Sequence, residues 1–600
     1  MAISDNIKLM KTNLKKQLPA LIVGLLAAVF FAATAAFNYL VQTKDYVSWS
    51  SPDENANYFF SEEFARTGRL AFFDPAAPYG NNILMPRSVR DDFGWLKPVS
   101  FLGLLLIYGG IAFCLGTAVI PFLTPLFAAL GIILFYFLTR RLFGRRVALI
   151  SACLLAVFPV YIYYSVRSMF HNVLFVVLLL AASYLAVLAV GKKQAREKRK
   201  FLSLPFSPCF SWEFAAAFAA GLLAGLAVIT RTSELLWLVP AGFVIWLFYA
   251  RRFGLMKLIL FLAGLFLALL PVIYYNQALY GSIFHGGYNE MNRSLDSISQ
   301  SGGDLVTRVF SGGVNQFGVY LAVIAKNVFY FGFHPGQSLN LFGNYVVKMF
   351  PYLFFPALLG FVLLLGQNSR RWQKKHLVYV LAGLILTAIL LFYYGSWRFN
   401  DNPDPSRFTI GNSYTRYWLP IYLFLLPLAT LAIVKVSRFI FWSKVKTHDR
   451  LRQWAASALQ AALVLTFAAL SLVFVLYGSE EGLASLYDST LAERASARQV
   501  LSLTEPAAVI ITTYYDKLLF PYRRIIMGRL PNEEIEQAAK NLTRRYPVYY
   551  YNFYLDPAAV NYLNIGKLSA YGLKLELIKK INGQFGLYRL NTSAYEPESQ

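Results

Sequence analysis

Apolar residues along this chain fall into long runs that are separated by short polar segments. The first run covers residues 18–40. Ten more follow at residues 118–139, 147–166, 172–190, 214–230, 234–249, 258–275, 346–365, 377–394, 417–434 and 454–477. A helix needs about 20 residues to cross the hydrocarbon core of a bilayer. The pattern therefore predicts a polytopic membrane protein, whose first run is an anchor because it is too long for the apolar part of a signal peptide.

One further apolar run, residues 99–115, is ambiguous because Gly103, Gly109 and Gly110 interrupt it. The basic residues resolve the ambiguity. They cluster in short segments at residues 8–16, 140–146, 192–200, 251–257, 370–375 and 435–452. Such clusters mark the cytoplasmic side, and a crossing at residues 99–115 would place all the later ones outside. We therefore predict a helix lying along the outer interface at residues 99–115.

This assignment gives eleven spans in the plasma membrane, with the N-terminus in the cytoplasm and the C-terminus outside. The chain is 57% hydrophobic and 14% charged, whereas soluble domains carry about 25% charged residues. Its net charge of +25 lies mostly in the predicted cytoplasmic loops, so it indicates topology and not nucleic-acid binding. Its three cysteines (Cys114, Cys153 and Cys209) lie in or beside apolar runs without metal-binding spacing.

Polar outer segments are predicted at residues 41–97, 276–344 and 395–416. Within the second, residues 317–333 are semi-apolar and fit a segment that lies on the membrane surface. The tail alternates strand-like and helix-like patterns. Strands are predicted at residues 509–513, 524–527, 548–553, 573–578 and 585–590, and helices at residues 532–545 and 557–570. The predicted fold class is thus an all-α polytopic membrane module, residues 1–477, with a small exocytoplasmic α/β domain, residues 478–600. Residues 41–117 form the first outer loop with its interfacial helices.

The most informative polar residues are Asp53 and Glu54, two adjacent acids at the head of the first outer loop. They precede a helical pattern, so Asp53 fits an N-cap and Glu54 the first helical turn, where the helix dipole favours anions. A carboxylate at the membrane face can also act as a general base if it reaches an acceptor hydroxyl or amine. Capping and catalysis are compatible, and both interpretations stay open.

Several other outer charges suit particular ligands. Lys97 adjoins the interfacial helix, at the level where an ammonium can hold a lipid phosphate. Asp91 and Asp92 offer oxygen ligands for a divalent cation such as Mg²⁺ or Mn²⁺, although solvation alone also explains exposed acids.

Three arginines lie next to predicted membrane ends on the outer side. Arg416 begins the span at residues 417–434, and Arg167 and Arg231 lie in tight outer turns. Basic outer turns run against the topology rule, and a guanidinium fits phosphate geometry well. We therefore predict phosphate contacts at these residues, with snorkelling to the interface as the alternative for Arg416.

The order of these motifs resembles that of GT-C glycosyltransferases, in particular the branch of protein O-mannosyltransferases and lipid A aminoarabinose transferase. The resemblance covers about residues 18–434. It rests on the Asp53-Glu54 pair, Lys97-Pro98, residues 140–146 (RRLFGRR), residues 163–170 (YYSVRSMF), residues 225–231 (GLAVITR) and Arg416-Tyr417. The resemblance implies an enzyme that moves a sugar from a polyprenyl-phosphate donor, with inversion, at the outer membrane face.

The resemblance also implies roles for individual residues. Asp53 would be the general base, Glu54 would support the acceptor site, and Lys97 and Arg416 would hold the departing lipid phosphate. Several relatives carry an Asp after the turn at Arg167, where this chain has His171-Asn172. This departure leaves metal dependence open.

Two other classes of function remain open from the sequence. A transporter or flippase of lipid-linked sugars places polar groups near the bilayer midplane, whereas ionisable residues here are nearly absent from span centres. A non-catalytic envelope-assembly protein would tolerate loss of Asp53. The acceptor, whether glycan, lipid or protein, is not determined by the sequence.

Overall fold

The computed structural model describes residues 2–42, 46–191, 212–284, 286–287, 332–366, 373–399, 401, 407–441, 449–478 and 481–592, with backbone only for residues 2–16 and 449. The semi-apolar stretch predicted at residues 317–333 lies almost wholly outside these ranges. The described chain is mainly helical, as predicted, and carries two small sheets.

The helices follow one another along the whole described chain. They are α1 (Ala2–Val41), α2 (Pro52–Thr67), α3 (Leu102–Leu115), α4 (Ile120–Phe143), α5 (Arg145–Val157), α6 (Pro159–Val166), α7 (His171–Ala189), α8 (Trp212–Thr230), α9 (Leu235–Phe253), α10 (Leu255–Tyr280), α11 (Pro335–Phe342), α12 (Pro351–Leu365), α13 (Lys374–Gly395), α14 (Ser413–Tyr417), α15 (Leu419–Ile440), α16 (Asp449–Tyr477), α17 (Leu483–Leu503), α18 (Asp516–Leu519), α19 (Glu533–Thr543) and α20 (Pro557–Gly566). Within the described ranges, nine helices are long and apolar enough to span a membrane, or up to eleven if each of two bent pairs is one span.

The bent pairs modify two of the predicted spans. The run at residues 147–166 is divided into α5 and α6, which meet at an angle of 52°. Pro159 opens α6, and a proline disfavours helical geometry in the residue before it, so the helix breaks there. The run at residues 346–365 contains a sharper bend of 100°, and Pro351 opens α12 after it.

Helix α3 corresponds to the predicted interfacial helix. It has 14 residues, which is short for a span. Its glycines permit close packing against two neighbours: a methyl group at Gly109 would lie 2.8 Å from the carbonyl oxygen of Ser61 on α2, and one at Gly103 would collide with the backbone at Ile229 on α8. Two of the glycines that interrupt the apolar pattern, Gly103 and Gly109, thus seat α3 against its neighbours.

Two sheets lie beyond the membrane helices. The first outer loop forms a sheet of β1 (Phe72–Phe73), β2 (Val89–Asp92) and β3 (Trp95–Pro98), antiparallel in the order β1-β3-β2. The C-terminal sheet comprises β4 (Val509–Thr512), β5 (Arg524–Met527), β6 (Val548–Phe553), β7 (Leu573–Ile581) and β8 (Phe585–Thr592), in the order β5-β4-β6-β8-β7. Strand β4 is parallel to both β5 and β6, and β8 is antiparallel to its neighbours.

The C-terminal sheet and the first outer loop pack together. Ala76, Ala77 and Leu84 of the loop belong to the same buried apolar cluster as the core of the sheet. Two ion pairs reinforce the contact: Arg524 lies 2.8 Å from Asp74, and Arg87 lies 2.6 Å from Asp516. The head of α2, where the adjacent acids lie, is therefore held between the membrane helices and the C-terminal domain.

Candidate functional site

The two acids lie in the first turn of α2. The N-cap is Ser51, not Asp53 as predicted, and Pro52 occupies the first helical position. Proline suits that position because it lacks an N–H and its φ is already helical, so the cap falls one residue before Pro52. Asp53 is partly exposed and accepts a hydrogen bond from the Ser88 hydroxyl. Among the residues that the structure describes, no Lys or Arg forms an ion pair with Asp53.

Glu54 has the opposite surroundings. It is 0% exposed, and its Oε2 accepts hydrogen bonds from Nη2 and Nε of Arg167 at 2.7 and 3.2 Å. Burial disfavours the charged guanidinium, but the Glu54 carboxylate outweighs this effect and raises the pKa of Arg167. Glu54 Oε1 has no partner within the described part of the chain.

A small cavity adjoins Glu54 between the membrane helices and α17. Its lining comprises Phe37, Asn38, Val41, Gln42, Ser48, Trp49, Ser50, Glu54, Val166, Arg167, Leu486 and Thr490. Ser48 Oγ and Trp49 Nε1 resemble Glu54 Oε1 in lacking a partner among the described residues. The cavity is thus lined by residues that carry these three polar atoms.

The three predicted phosphate-binding arginines come together in an alternating series with two aromatic rings. The guanidinium groups of Arg167 and Arg416 lie 4.8 and 4.2 Å from the centre of the Phe170 ring. Those of Arg416 and Arg231 lie 5.1 and 4.6 Å from the centre of the Tyr417 ring. We call this series, Arg167-Phe170-Arg416-Tyr417-Arg231, the arginine row. Cation–π contacts of this length hold guanidinium groups in place while leaving N–H groups available.

Arg416 is the middle cation of the row. Its Nη2 donates to Ser413 Oγ at 2.7 Å, and its Nε has no partner within the described ranges. Asn172 donates to the carbonyl oxygen of Arg416 at 2.9 Å. Asn172 therefore holds the backbone that carries the middle cation of the row.

Arg231 ends the row in a fully bonded cluster. Its Nε lies 3.0 Å from Glu234 Oε1, and its Nη2 lies 2.8 Å from the Tyr394 hydroxyl. Tyr394 also donates to Glu234 Oε1 at 2.9 Å, and the Trp237 indole donates to Glu234 Oε2 at 2.5 Å. This carboxylate has donors on both oxygens.

Lys97 and the predicted metal ligands lie on the β2–β3 hairpin of the first loop. Lys97 Nζ pairs with Asp92 Oδ2 at 2.6 Å. Successive residues of a strand point to opposite faces, so Asp91 is buried and Asp92 exposed. Burial also raises the pKa of Asp91.

This geometry does not fit a shared divalent cation at Asp91 and Asp92, because their carboxylates do not converge. Over the described ranges, no group of three or more His, Cys, Asp or Glu side chains could hold a metal ion. We therefore derive no chemical step from a metal.

Several residues of this site were not identified from the sequence. Ser88 donates a hydrogen bond to Asp53, and the Phe170 ring lies between two arginines. Asp516 accepts a hydrogen bond from Arg87, the residue before Ser88. Each acts through a partner far along the chain, and single hydroxyls or phenylalanines carry no local signal. The sequence offers Tyr417 only as part of the Arg416-Tyr417 motif, and its contact with two arginines appears only in the fold.

Comparison with known proteins adds one sequence match. Residues 111–204 match the model of a family described as dolichyl-phosphate-mannose-protein mannosyltransferase. The matched segment includes Arg167 and Phe170. No curated protein sequence matches the chain significantly.

Solved structures give matches over nearly the whole chain. An oligosaccharyltransferase of Archaeoglobus fulgidus in the apo form has a TM-score of 0.50 at 16% identity, covering 92% of this chain and 71% of that one. ArnT from Cupriavidus metallidurans in the apo state has a TM-score of 0.49 at 13% identity, and the same protein bound to undecaprenyl phosphate has 0.46 at 14%. Each ArnT match covers 94% of this chain and 98% of that one. Identities this low concern the fold alone.

Proposed function

Because the chain has the GT-C glycosyltransferase fold, we propose that it is an inverting glycosyltransferase that takes its sugar from a polyprenyl-phosphate donor. The transfer occurs at the outer membrane face, to an acceptor that enters beside α2. The family model that matches residues 111–204 is named for a sugar carried on a lipid phosphate, which supports this class of donor.

The observation that carries the proposal is the contrast between Asp53 and Glu54. Glu54 is buried and paired with Arg167, so its charge is committed to the fold. Asp53 is partly exposed and is held by the Ser88 hydroxyl. A carboxylate held in this way can accept the proton of an acceptor hydroxyl or amine as it attacks the sugar. Asp53 is the general base, and Glu54 positions Arg167.

The arginine row supplies positive charge for the other half of the reaction. When the glycosidic bond to the lipid phosphate breaks, negative charge develops on the phosphate oxygens, and fixed cations stabilise it. Arg416 is the foremost candidate, because it lies in the middle of the row with an unbonded buried Nε among the described residues. Arg167 supports it from the other side of Phe170, and Lys97 adds a cation on the neighbouring hairpin.

The proposed topology places this chemistry outside the cytoplasm. The N-terminus lies inside, the basic loops face the cytoplasm, and the C-terminal domain lies outside the plasma membrane. This orientation follows from the distribution of Lys and Arg between the apolar runs.

The test is to measure polyprenyl-phosphate sugars by mass spectrometry in cells that lack the protein. We expect one such lipid to accumulate and to return to normal when the wild-type chain is supplied. Asp53→Asn should not restore it, because loss of a general base slows a reaction by about 10²–10⁴-fold. Asp488→Asn, an exposed acid on α17, is the matched control and should restore it. If Asp53→Asn rescues fully, a transporter or an assembly protein becomes the better explanation.

A further inference from the structure

Three aromatic rings cluster at one end of the central strands β4, β6 and β8 of the C-terminal sheet, and the proposed transfer chemistry does not use them. Phe553 ends β6 and faces Phe585, its direct partner on β8. Their rings stack with centres 4.7 Å apart. Tyr514, which follows β4, lies 5.2 Å from Phe553. We call Tyr514, Phe553 and Phe585 the aromatic platform.

The platform is held by buried rings on one side, and two of its own rings are exposed. Phe585 is buried against Tyr515 and Tyr551, with ring centres 5.0 and 5.6 Å away. Tyr514 and Phe553 nevertheless remain 47% and 52% exposed. Large apolar rings that are fixed in place but left in water commonly mark an interaction surface. Their flat faces suit a ligand that is itself flat and partly apolar.

Amide groups border the platform. The turn that precedes Phe585 contains Asn582 and Gln584, both exposed. Asn582 is fixed by hydrogen bonds to the hydroxyls of Ser496 and Tyr515 at 3.0 and 3.2 Å. Aromatic faces bordered by amides match a sugar ring, which has apolar C–H faces and a rim of hydroxyls that donate and accept hydrogen bonds.

The platform is connected to the proposed base. Asp516 is two residues after Tyr514, and it accepts hydrogen bonds from the backbone N–H and the guanidinium of Arg87 at 3.0 and 2.6 Å. The next residue, Ser88, donates to Asp53. The Arg87 side chain is 46% exposed. Hydrogen bonds therefore join the segment that carries Tyr514 and Asp516 to the Arg87-Ser88 segment that holds Asp53.

We propose that the aromatic platform binds a carbohydrate portion of the acceptor, so that the acceptor is a glycan or a glycolipid. This inference rests on the proposed transferase function and deepens it by assigning the acceptor class. The sugar stacks on Tyr514 and Phe553, its hydroxyls bond Asn582 and Gln584, and the attacking hydroxyl or amine reaches Asp53 past Arg87.

Binding can be tested without donor or turnover. Full-length protein in lipid nanodiscs is applied to an array of defined oligosaccharides, including chitotetraose and mannotetraose, and of peptides without sugar. We expect binding to at least one oligosaccharide. Phe553→Ala and Tyr514→Ala should weaken it about tenfold or more, because each removes a stacking face. Tyr514→Phe keeps the ring and should retain binding.

The control is Tyr562→Ala, which removes an aromatic side chain that is 60% exposed on α20 and should leave binding unchanged. Failure of every oligosaccharide to bind, binding only to the peptides, or binding that survives both platform substitutions would overturn the inference. Asp53→Asn should bind the array like wild type. A bound oligosaccharide together with full rescue of transfer by Asp53→Asn would contradict the proposed function but leave the platform standing.

Discussion

The two glutamates that neutralise the ends of the arginine row have different surroundings. Glu234 accepts hydrogen bonds on both oxygens, from Arg231, Tyr394 and Trp237. Glu54, which lines a cavity, bonds Arg167 through one oxygen only, and its other oxygen has no partner in the described part of the chain. Both arginines follow the end of a membrane helix, so local sequence does not distinguish them.

The difference distinguishes a structural ion pair from a functional ion pair within the same arginine row. A buried ion pair with every oxygen bonded braces the helices and has no capacity left for a ligand. A pair with an unbonded oxygen beside a cavity can still receive a hydrogen-bond donor, such as water or a polar group of a ligand. We therefore interpret the Arg231 end of the row as structural and call it the brace. We interpret the Arg167 end as the part that contacts a ligand and call it the working end.

The largest stability effect should come from the braced end. Glu234→Gln leaves Arg231 buried without its counter-charge, and breaking a buried pair costs about 3–5 kcal/mol. Glu54→Gln should cost less, because the Arg167 side chain is 13% exposed and that of Arg231 only 5%. Thermal unfolding of the purified variants measures the difference.

Transfer activity should rank the two variants in the reverse order, with Glu54→Gln the more impaired. Per folded molecule, Glu54→Gln should reduce transfer about tenfold or more, because Arg167 loses its anchor beside Asp53. Glu234→Gln should act mainly by reducing the amount of folded protein. Equal losses of specific activity in the two variants would remove the distinction between brace and working end.

A smaller effect is expected in the middle of the row. Arg416→Lys keeps the charge but loses the planar guanidinium that stacks on Phe170 and Tyr417. We expect the apparent KM for the lipid-phosphate donor to rise about tenfold, which corresponds to about 1.4 kcal/mol. Arg146→Lys is the control, because Arg146 bonds Ser457 at a distant exposed position. An unchanged donor KM would argue against phosphate binding by Arg416.

The smallest effects concern the hairpin outside the row. The exposed pair of Lys97 and Asp92 should contribute less than about 1 kcal/mol to stability. Asp92→Asn removes a competitor for the Lys97 ammonium, so the donor KM should fall slightly, whereas Lys97→Ala should raise it. Donor titrations in membranes measure both. If neither variant changes the donor KM, Lys97 does not contact the phosphate.

Much of the architecture could be predicted from local patterns. The fold class and the resemblance to GT-C glycosyltransferases are confirmed. Strands β4, β5 and β6 were predicted to within one residue, because runs such as Val548–Phe553 are rich in β-branched and aromatic residues. Helix α19 begins after Asn532, whose side chain accepts from the Ile535 N–H at 3.1 Å, as its opening signal indicated.

Elements with weak local patterns were missed. Strands β1 to β3 have two to four residues each, too few for a clear alternation. Polar and apolar residues are mixed around helix α17, because it contacts both the membrane helices and the first outer loop. Its Arg494, for instance, bonds the carbonyl oxygen of Ser48 at 2.8 Å. A helix buried on several sides lacks the single apolar stripe that sequence reasoning detects.

What the sequence determined by itself is the set of membrane helices, the strands of the tail and the residues worth testing, since hydropathy and charge act locally. Only the tertiary structure decided which of those residues meet. It placed Arg167, Arg416 and Arg231 around two shared rings, paired Glu54 with Arg167 and gave Asp53 the Ser88 hydroxyl as its partner. The physical reason is that burial and pairing depend on neighbours far along the chain, which no local pattern encodes.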